Sequence, residues 1–320
     1  MIRFIHLIII LVATGILGKA QQRPHFTHIA WNKFYHNPAY GGFDRTLVVN
    51  GIYRDQYAPI EGHIKQFYGG CNMPLDIWRA GAGAQISHQN TGAMQRNSFD
   101  LAYNKFFPFQ AGLFSLGGRM GILHISIDGN VIRTPDGVYE GVFTHQDPLL
   151  NINTLNGLGW NWELGAYFKA ENYEGGLAVY NADQSVIHIG EASYRKSAGL
   201  QTFFQYKYYP LKEILLTSSL YIQSDFKEIQ SDICFTGEVL GNYFGGLLLR
   251  GYSSRSIDAA ALIIGTNIGS HYKLSYSYDF GLSALSGVHL GTHEIMVRYS
   301  LNKILTIGLP PKIIYNPRHL

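Results

Sequence analysis

Apolar and polar residues alternate with a period of two along much of the chain. Between residues 272 and 280 the apolar positions are Tyr272, Leu274, Tyr276, Tyr278 and Phe280, with polar residues between them. The same alternation recurs at 158–169 and 294–301. Because successive side chains of a strand point to opposite faces, each stretch predicts a strand with one apolar and one polar face.

The alternation predicts about 14 strands of roughly 8–14 residues, a length that suits a tilted membrane strand. The predicted strands lie at residues 46–54, 63–71, 80–88, 97–107, 112–126, 156–169, 173–180, 199–209, 213–224, 229–238, 243–252, 258–266, 271–280 and 292–301. An even number of antiparallel strands is typical of single-chain bacterial barrels.

The lengths of the connections distinguish a membrane barrel from a soluble sandwich. Even connections are short, at 108–111, 170–172, 210–212 and 267–270, whereas odd ones include the long segments 127–155, 181–198 and 281–291. Outer-membrane barrels have short periplasmic turns and longer outer loops. Aromatic residues before two predicted periplasmic turns, Phe106 and Phe107 and then Tyr206, Tyr208 and Tyr209, predict a girdle at the lipid headgroups.

The composition agrees with a barrel, and the N-terminal sequence predicts that the protein is exported. Charged residues are 15% of the chain, aromatics 14%, and mean hydropathy is −0.02, so long apolar helices are not expected. Arg3, an apolar run, and small residues at Gly18 and Ala20 predict a signal peptide at 1–20. Its removal leaves 23 basic and 22 acidic residues (25 − 2 against 22), which gives no case for nucleic-acid binding.

Two segments fall outside the strand pattern. Residues 21–45 have mixed polarity, with Trp31, Phe34 and Tyr35 spaced for a helical turn, and are predicted to be a periplasmic or lumenal, plug-like segment. The barrel itself is predicted at 46–301. The proline-containing stretch 302–320 is unsuited to a central strand, and it is either a periplasmic tail that contacts a partner or a disordered end.

Candidate chemistry is sparse. The histidines form no H-E-x-x-H or Cys/His cluster, and no metal site, cofactor or catalytic residue is predicted. Gly281-Leu282-Ser283-Ala284-Leu285 lacks the second glycine of a nucleophile elbow, so the sequence predicts no enzyme, although a barrel hydrolase with a Ser–His pair stays open. Cys71 and Cys234 lie in distant strands and are predicted to be unpaired.

Three short elements resemble the PorP/SprF family. They are Tyr35-His36-Asn37-Pro38-Ala39-Tyr40-Gly41-Gly42, then Tyr53-Arg54-Asp55-Gln56-Tyr57, and finally Tyr276–Ser283 followed by Gly291-Thr292-His293-Glu294-Ile295. Tyr57 stands where the family usually has tryptophan, and the chain continues beyond the last predicted strand. The resemblance runs from residue 35 to about residue 300.

This resemblance implies an outer-membrane protein of the type IX secretion system that assists export or surface anchoring of a large adhesin and supports gliding motility. The implied partners are the adhesin or its C-terminal domain, a periplasmic peptidoglycan-linked protein and outer-membrane lipid. The signature residues carried over as candidate partner contacts are Asn37, Pro38, Ala39, Tyr40, Gly41, Tyr53, Arg54, Gln56, Tyr57, His293 and Glu294. The residues alone also allow a passive porin or small-solute channel, and the Asn37–Tyr40 element could instead be a structural junction.

Overall fold

A computed structural model describes residues 24–58, 60–140, 144–146, 152–251, 257–282 and 290–301. Fourteen antiparallel strands form one closed barrel. They are β1 (Val48–Gln56), β2 (Ile64–Leu75), β3 (Ala80–Thr91), β4 (Met94–Phe109), β5 (Gly112–Asp128), β6 (Thr154–Lys169), β7 (Tyr173–Tyr180), β10 (Gly199–Leu211), β11 (Ile214–Ser224), β12 (Ile229–Val239), β13 (Tyr243–Gly251), β14 (Ala259–Ile268), β15 (Tyr272–Gly281) and β16 (Thr292–Ser300). The predicted signal peptide and C-terminal tail lie outside the described residues.

The barrel closes by pairing of its first and last strands. β1 and β16 run antiparallel in continuous register from Val48 opposite Ser300 to Gln56 opposite Thr292. The predicted class and the predicted strand number are thereby confirmed. Strand ends differ, because Pro108 and Pro210, which were predicted to lie in turns, are instead among the last residues of β4 and β10. A proline at a strand end interrupts the hydrogen-bond ladder little.

Side chains alternate between the lumen and the outer surface as the sequence pattern predicted. On β6 the outward row Leu158, Trp160, Trp162 and Leu164 is exposed. On β15 the inward residues Ser275, Ser277 and Asp279 are buried. A soluble protein rarely exposes such a continuous apolar surface, whereas an outer-membrane barrel presents it to lipid. The fold is therefore an outer-membrane β-barrel, not a soluble sandwich.

The two ends of the barrel differ in their connections. The turns at 110–111, 170–172, 212–213 and 269–271 join strands at the end from which β1 starts, which is the periplasmic end. The connections at 129–153 and 181–198 lie at the opposite, outer end. Two outer connections break the alternation of lengths. β3 and β4 are joined by residues 92–93 alone, and the connection 225–228 is no longer than the periplasmic connection 76–79.

The outer connection 181–198 contains a hairpin that the sequence pattern did not predict. Its strands are β8 (Val186–Ile189) and β9 (Ala192–Arg195), which form a separate sheet of two strands. A turn at Gly190, where φ is +61°, joins them. Each strand has four residues, too few for an alternating pattern to stand out in the sequence.

The aromatic girdle is only partly as predicted. Tyr206, Tyr208 and Tyr209 are exposed at the periplasmic end of β10, and Phe107 is exposed on β4. Phe106 instead points into the lumen, where its ring centroid lies 5.0 Å from that of Phe43. The placement of Phe106 in the girdle was wrong, because adjacent residues of one strand face opposite sides.

Two further predictions concern the cysteines and membrane helices. Cys71 and Cys234 are both unpaired, as predicted. Among the described residues, no helix is both long and apolar enough to cross a membrane.

Candidate functional site: the filled lumen

Residues 24–44 lie inside the barrel and occupy its lumen. The chain forms an α-helical turn, α1 (Lys33–His36), and a 3-10 turn at Pro38–Tyr40, before it enters β1. Nearly every residue of this N-terminal segment is buried. Its side chains and backbone bond to strands all round the wall, including β5, β7, β12 and β16. The segment begins near the outer half of the wall and reaches the periplasmic end at β1.

Near the outer half of the lumen, two arginines and three acidic residues form a buried ionic cluster. Arg54 lies 2.8 Å from both Asp279 and Glu294. Arg250 bridges Asp279 at 3.0 Å and Asp232 at 3.2 Å. All five residues are at most 3% exposed. Such charges are tolerated in an interior only when they are paired and hydrogen-bonded, so each depends on the others.

The N-terminal segment supplies the remaining partners of this ionic cluster. The backbone N–H groups of Thr27 and His28 donate to Glu294, at 2.8 to 3.0 Å. The Thr27 hydroxyl donates to Asp279 at 2.9 Å and accepts from Arg54 at 2.9 Å. His25 bonds Asp232 through Nε2 at 2.6 Å. Residues 25–28 are thus held to the wall by charge-assisted hydrogen bonds.

A second attachment lies deeper, towards the periplasmic end. Lys33 Nζ lies 2.5 Å from the Glu174 carboxylate and donates to Gln205 Oε1 at 2.7 Å. Tyr167 donates its hydroxyl to the other oxygen of Glu174 at 3.0 Å. Arg298 pairs with Asp44 at 3.0 Å, just before the segment enters β1.

Arg119 of β5 ties the middle of the segment to the wall. It donates to the backbone carbonyls of Phe34 and Tyr35, at the start of α1, and pairs with Glu163 at 2.6 Å. Carbonyls of so short a helix lack partners of their own, so the guanidinium satisfies two that would otherwise be buried without one.

The Asn37–Gly42 element fits a part of the wall that is built from small residues. Asn37 is extended, with φ −147° and ψ 118°, as the following proline predicts. Its amide donates to the carbonyls of Ala166 and Leu177 at 3.0 Å each. A Cβ at Gly165 would lie 2.2 Å from Asn37 Oδ1, and one at Gly176 2.6 Å from its Nδ2. The two glycines therefore make room for the asparagine.

The rest of this element also packs against glycines of the wall, on neighbouring strands. A Cβ at Gly81 would lie 2.0 Å from the Gly41 carbonyl, and one at Gly117 2.9 Å from Ala39 Cα. Gly42 has φ +77° and donates its N–H to Asn72, where the chain turns towards β1. Close backbone contact is possible only where the wall lacks side chains.

Tyr40 completes the fit with an aromatic contact. Its ring stacks on Phe43 and meets Tyr167 edge-on at 5.1 Å, while its hydroxyl donates to Asp44 at 3.1 Å. Phe26 and Tyr35 form a separate contact with Tyr68 on β2. Aromatic packing thus fills space between the polar attachments.

The β8–β9 hairpin covers the lumen from the outer side. Ile187 and Ile189 pack on Leu123 and Ile125, two apolar residues that point inward from β5. Lys196, which is 1% exposed, donates to the carbonyl of Trp160 and to Asp183 Oδ1, the latter at 3.0 Å. Burial alone would raise the pKa of the Asp183 carboxyl, but hydrogen bonds from Lys196 and Ser185 outweigh it and lower that pKa.

The structure divides the candidate signature residues into two groups. Asn37, Pro38, Ala39, Tyr40, Gly41, Arg54 and Glu294 are all buried inside the barrel. Tyr53 instead points outward and is 44% exposed, and Gln56, Tyr57 and His293 are half-buried near the outer end. His293 bonds the Tyr276 hydroxyl at 2.7 Å, away from the ionic cluster.

Several residues of the site were not identified from the sequence. They are His25, Thr27, His28, Lys33, Glu174, Asp232 and Arg250. For Glu174, Asp232 and Arg250 the sequence did contain a signal. Each is a charged residue on the inward-facing row of a strand, and these rows otherwise carry small or neutral polar residues. In the described residues, no group of three or more histidine, cysteine, aspartate or glutamate side chains is arranged to hold a metal ion.

The chain is similar to one protein family and to several solved structures. A family described as type IX secretion system membrane protein PorP/SprF matches residues 18–299. No curated protein matches the chain. Among solved structures, Acinetobacter baumannii Omp33 is similar, with 6% identity, a TM-score of 0.46, and coverage of 80% of this chain and 97% of that one. The Pseudomonas putida toluene transporter TodX has 9% identity, a TM-score of 0.46, and coverage of 88% and 95%.

Proposed function

The chain belongs to the PorP/SprF family of type IX secretion system membrane proteins, and from this membership we propose that it is a non-enzymatic outer-membrane barrel that assists export or surface anchoring of a large adhesin. In this proposal residues 24–44 act as a permanent plug. The observation that carries it is the attachment of the segment to the wall by the buried ionic cluster and by Lys33–Glu174.

The strength of the attachment favours an accessory barrel over an open pore. Displacing the segment would leave Asp279 and Glu294 without the hydrogen bonds from Thr27, and Glu174 without Lys33. Removing one partner of a buried charged pair costs about 3–5 kcal/mol. A plug held by several such pairs stays in place on the timescale of solute passage.

We place the adhesin contact on the outer connections 127–155, 181–198 and 281–291. A smaller part of the first and most of the last lie outside the described residues. The described part of the first connection is locally ordered by its own side chains. Tyr139 accepts from the Thr134 backbone N–H at 2.6 Å, and its ring lies 4.5 Å from the Arg133 guanidinium. A preformed loop gives a partner a fixed surface at low entropic cost.

We place the periplasmic, peptidoglycan-linked partner at the opposite end. The N-terminal segment is not exposed there, because it rises from β1 into the outer half of the lumen. The periplasmic contact then involves the turns between strands and residues 302–320, which lie outside the described residues. The buried signature residues support the wall and the plug, and they act on partners only through that support.

The loop assignment is tested by exchange of one connection. Asp128 and Thr154 face each other at the ends of β5 and β6, so residues 130–153 are replaced with a Gly/Ser linker of equal length. We expect a folded barrel that no longer displays the adhesin on intact cells, measured with an adhesin antibody. The matched control replaces 225–228 in the same way. Normal display after the first exchange would reject the assignment.

The alternative function is a passive porin, which the polar inward faces of the strands favour. Planar-bilayer conductance distinguishes the two proposals. The plugged barrel conducts little, and conductance rises when the ionic cluster is broken. A large and steady conductance of the unaltered protein would favour the porin.

A further inference from the structure

Above the plug, an open cavity faces the outer end of the barrel. We call it the outer vestibule, and it lies between the start of the N-terminal segment and strands β3, β4 and β6. Its lining includes Pro24, Gln85, Gln89, Asp100, Asn161 and Glu163. The adhesin proposal does not use this cavity.

Asp100 is a carboxylate without a direct cationic partner. It is 3% exposed and accepts from Gln85 Nε2 at 3.2 Å, from Ser98 Oγ at 3.0 Å and from Asn161 Nδ2 at 3.4 Å. Arg119 also lies on this side of the lumen, but it pairs with Glu163 and two backbone carbonyls. A buried carboxylate that has only neutral donors is costly, so a cation is the expected complement.

The other arginine at the vestibule does not fill this role. Arg96 lies on β4, four residues before Asp100, which corresponds to roughly 13 Å along a strand. Its guanidinium lies 5.4 Å from the ring centroid of Tyr194, on the hairpin. Arg96 therefore belongs to the contact between the wall and the hairpin.

An unpartnered amide oxygen next to Asp100 adds to the same demand, because Gln85 faces Asp100 in the register of β3 and β4. Gln85 is 5% exposed, and its Oε1 has no hydrogen-bond partner. Gln89 Oε1 is also unpartnered, but Gln89 lies opposite Arg96, four residues further along β3 towards the outer end. Buried polar atoms are nearly always satisfied, and the exceptions call for an explanation such as a ligand. Here the unsatisfied atoms are all acceptors.

We propose that the outer vestibule binds a guanidinium group, with Asp100 and Gln85, which face each other in the register of β3 and β4, as its acceptors. A guanidinium is planar, always charged and carries five N–H donors, so it can serve several oxygens at once. An ammonium group is more strongly hydrated and offers three donors from one point. The arrangement of a carboxylate beside an unpartnered amide oxygen therefore matches an arginine side chain.

Two sources of arginine are compatible with this chemistry. One is Arg23, which is bonded to Pro24 and lies outside the described residues. The other is an arginine of an exported polypeptide that enters from the outer end. The two sources are distinguished by whether the site is already filled in the isolated protein.

The test is titration of the purified full-length protein with N-acetyl-arginine amide, and with the citrulline analogue as the uncharged probe. If Arg23 fills the site, Arg23→Gln gains arginine affinity by at least about tenfold over the unaltered protein. If the arginine comes from another polypeptide, the two proteins bind the arginine probe equally. In both cases Arg23→Gln binds the arginine probe at least about tenfold tighter than it binds the citrulline probe.

Substitutions in the vestibule complete the test. In the Arg23→Gln background, Asp100→Asn is expected to lose the preference for arginine over citrulline. Gln85→Met keeps the carboxylate, should the first variant fail to fold, and is expected to bind the arginine probe at least about tenfold more weakly. Asp55→Asn is the control, since Asp55 pairs with His63 outside the lumen. The proposal is overturned if neither the unaltered protein nor Arg23→Gln prefers arginine over citrulline, if a folded Asp100→Asn retains that preference, or if Gln85→Met leaves the affinity for the arginine probe unchanged.

Discussion

Arg54 and Glu294 face each other across the seam at which the first and last strands close the barrel, with Arg54 Nη1 2.8 Å from Glu294 Oε2. The two residues belong to signature elements at opposite ends of the chain. Glu294 also accepts the backbone N–H groups of Thr27 and His28. The same ion pair therefore links the two closing strands to the N-terminal segment.

Arg54→Gln should release the start of the N-terminal segment. The substitution leaves Asp279 and Glu294 buried with one cation fewer, at a cost of about 3–5 kcal/mol. We expect residues 25–28 to leave the wall, while the strand ladders preserve the barrel. Limited proteolysis with mass spectrometry measures the first effect, and the heat-induced shift in gel mobility measures the second.

The control for this change is Arg79→Gln. Arg79 is exposed in the periplasmic turn between β2 and β3. Its replacement should leave both the cleavage pattern and the gel shift unchanged. Equal protection of the segment in Arg54→Gln and in the unaltered protein would show that the ion pair does not hold the N-terminal segment in the lumen.

The strands could be predicted from the sequence because their alternation is local. Residues 272–280 show the period of two without knowledge of any neighbouring strand. The hairpin could not be predicted in this way, although one signal was present. Leu123 and Ile125 point inward in a mostly polar lumen, which indicates that something apolar covers them.

The lumenal contacts depend on pairings that local pattern does not reveal. Asp232 and His25 are separated by 207 positions, and only barrel closure brings them together. Phe106 was misplaced for a related reason, since a cluster of aromatics does not by itself tell which residue faces the lumen. The Asn37 element could be recognised in the sequence as a motif. Its contact with Gly165 could not be predicted, because that prediction would have required the register of the strands.

Gly165→Ala should destabilise the docking of Asn37. The new Cβ would lie 2.2 Å from Asn37 Oδ1, closer than any unstrained contact. Overpacking of this kind costs about 1–3 kcal/mol. Urea unfolding of the protein in lipid vesicles measures the loss. The matched control is Gly237→Ala on β12, where a Cβ would meet only Leu216 Cδ2 at 3.5 Å.

A double substitution tests whether the clash is the cause. In Asn37→Ala the clashing oxygen is absent, so Gly165→Ala should cost less in that background than in the unaltered protein. Contacting residues typically show coupling energies of about 0.5–3 kcal/mol. Additive effects would mean that Gly165 acts independently of Asn37.

Ile187→Ala should open the hairpin without melting the barrel. Ile187 is fully buried against Leu123 and Ile125, and truncation of a buried isoleucine costs about 2–5 kcal/mol. The strands of the barrel make no ladder with β8 or β9, so the loss should remain local. Hydrogen exchange of 186–195 should quicken while that of β5 stays constant. Val186→Ala, at a position that is 39% exposed, should change neither.

Closure of the hairpin should also depend on pH through Asp183. Its carboxyl has a lowered pKa, because the hydrogen bonds from Lys196 and Ser185 outweigh the opposing effect of burial. A carboxyl whose pKa is lower in the folded state stabilises that state fully above its ordinary value of about 3.9. That contribution disappears as the pH falls through the folded pKa.

We therefore expect a spin label at position 191, next to the hairpin turn, to be immobile at neutral pH and to become mobile as the pH falls below about 4. In Asp183→Asn the charge is absent at every pH, so the label should be more mobile at neutral pH and its mobility should vary less with pH. Asp128→Asn is the control, because the Asp128 carboxylate accepts hydrogen bonds only from Asn130, in its own turn, among the described residues. A profile that is identical in the unaltered protein and in Asp183→Asn would remove Asp183 from the mechanism that closes the hairpin.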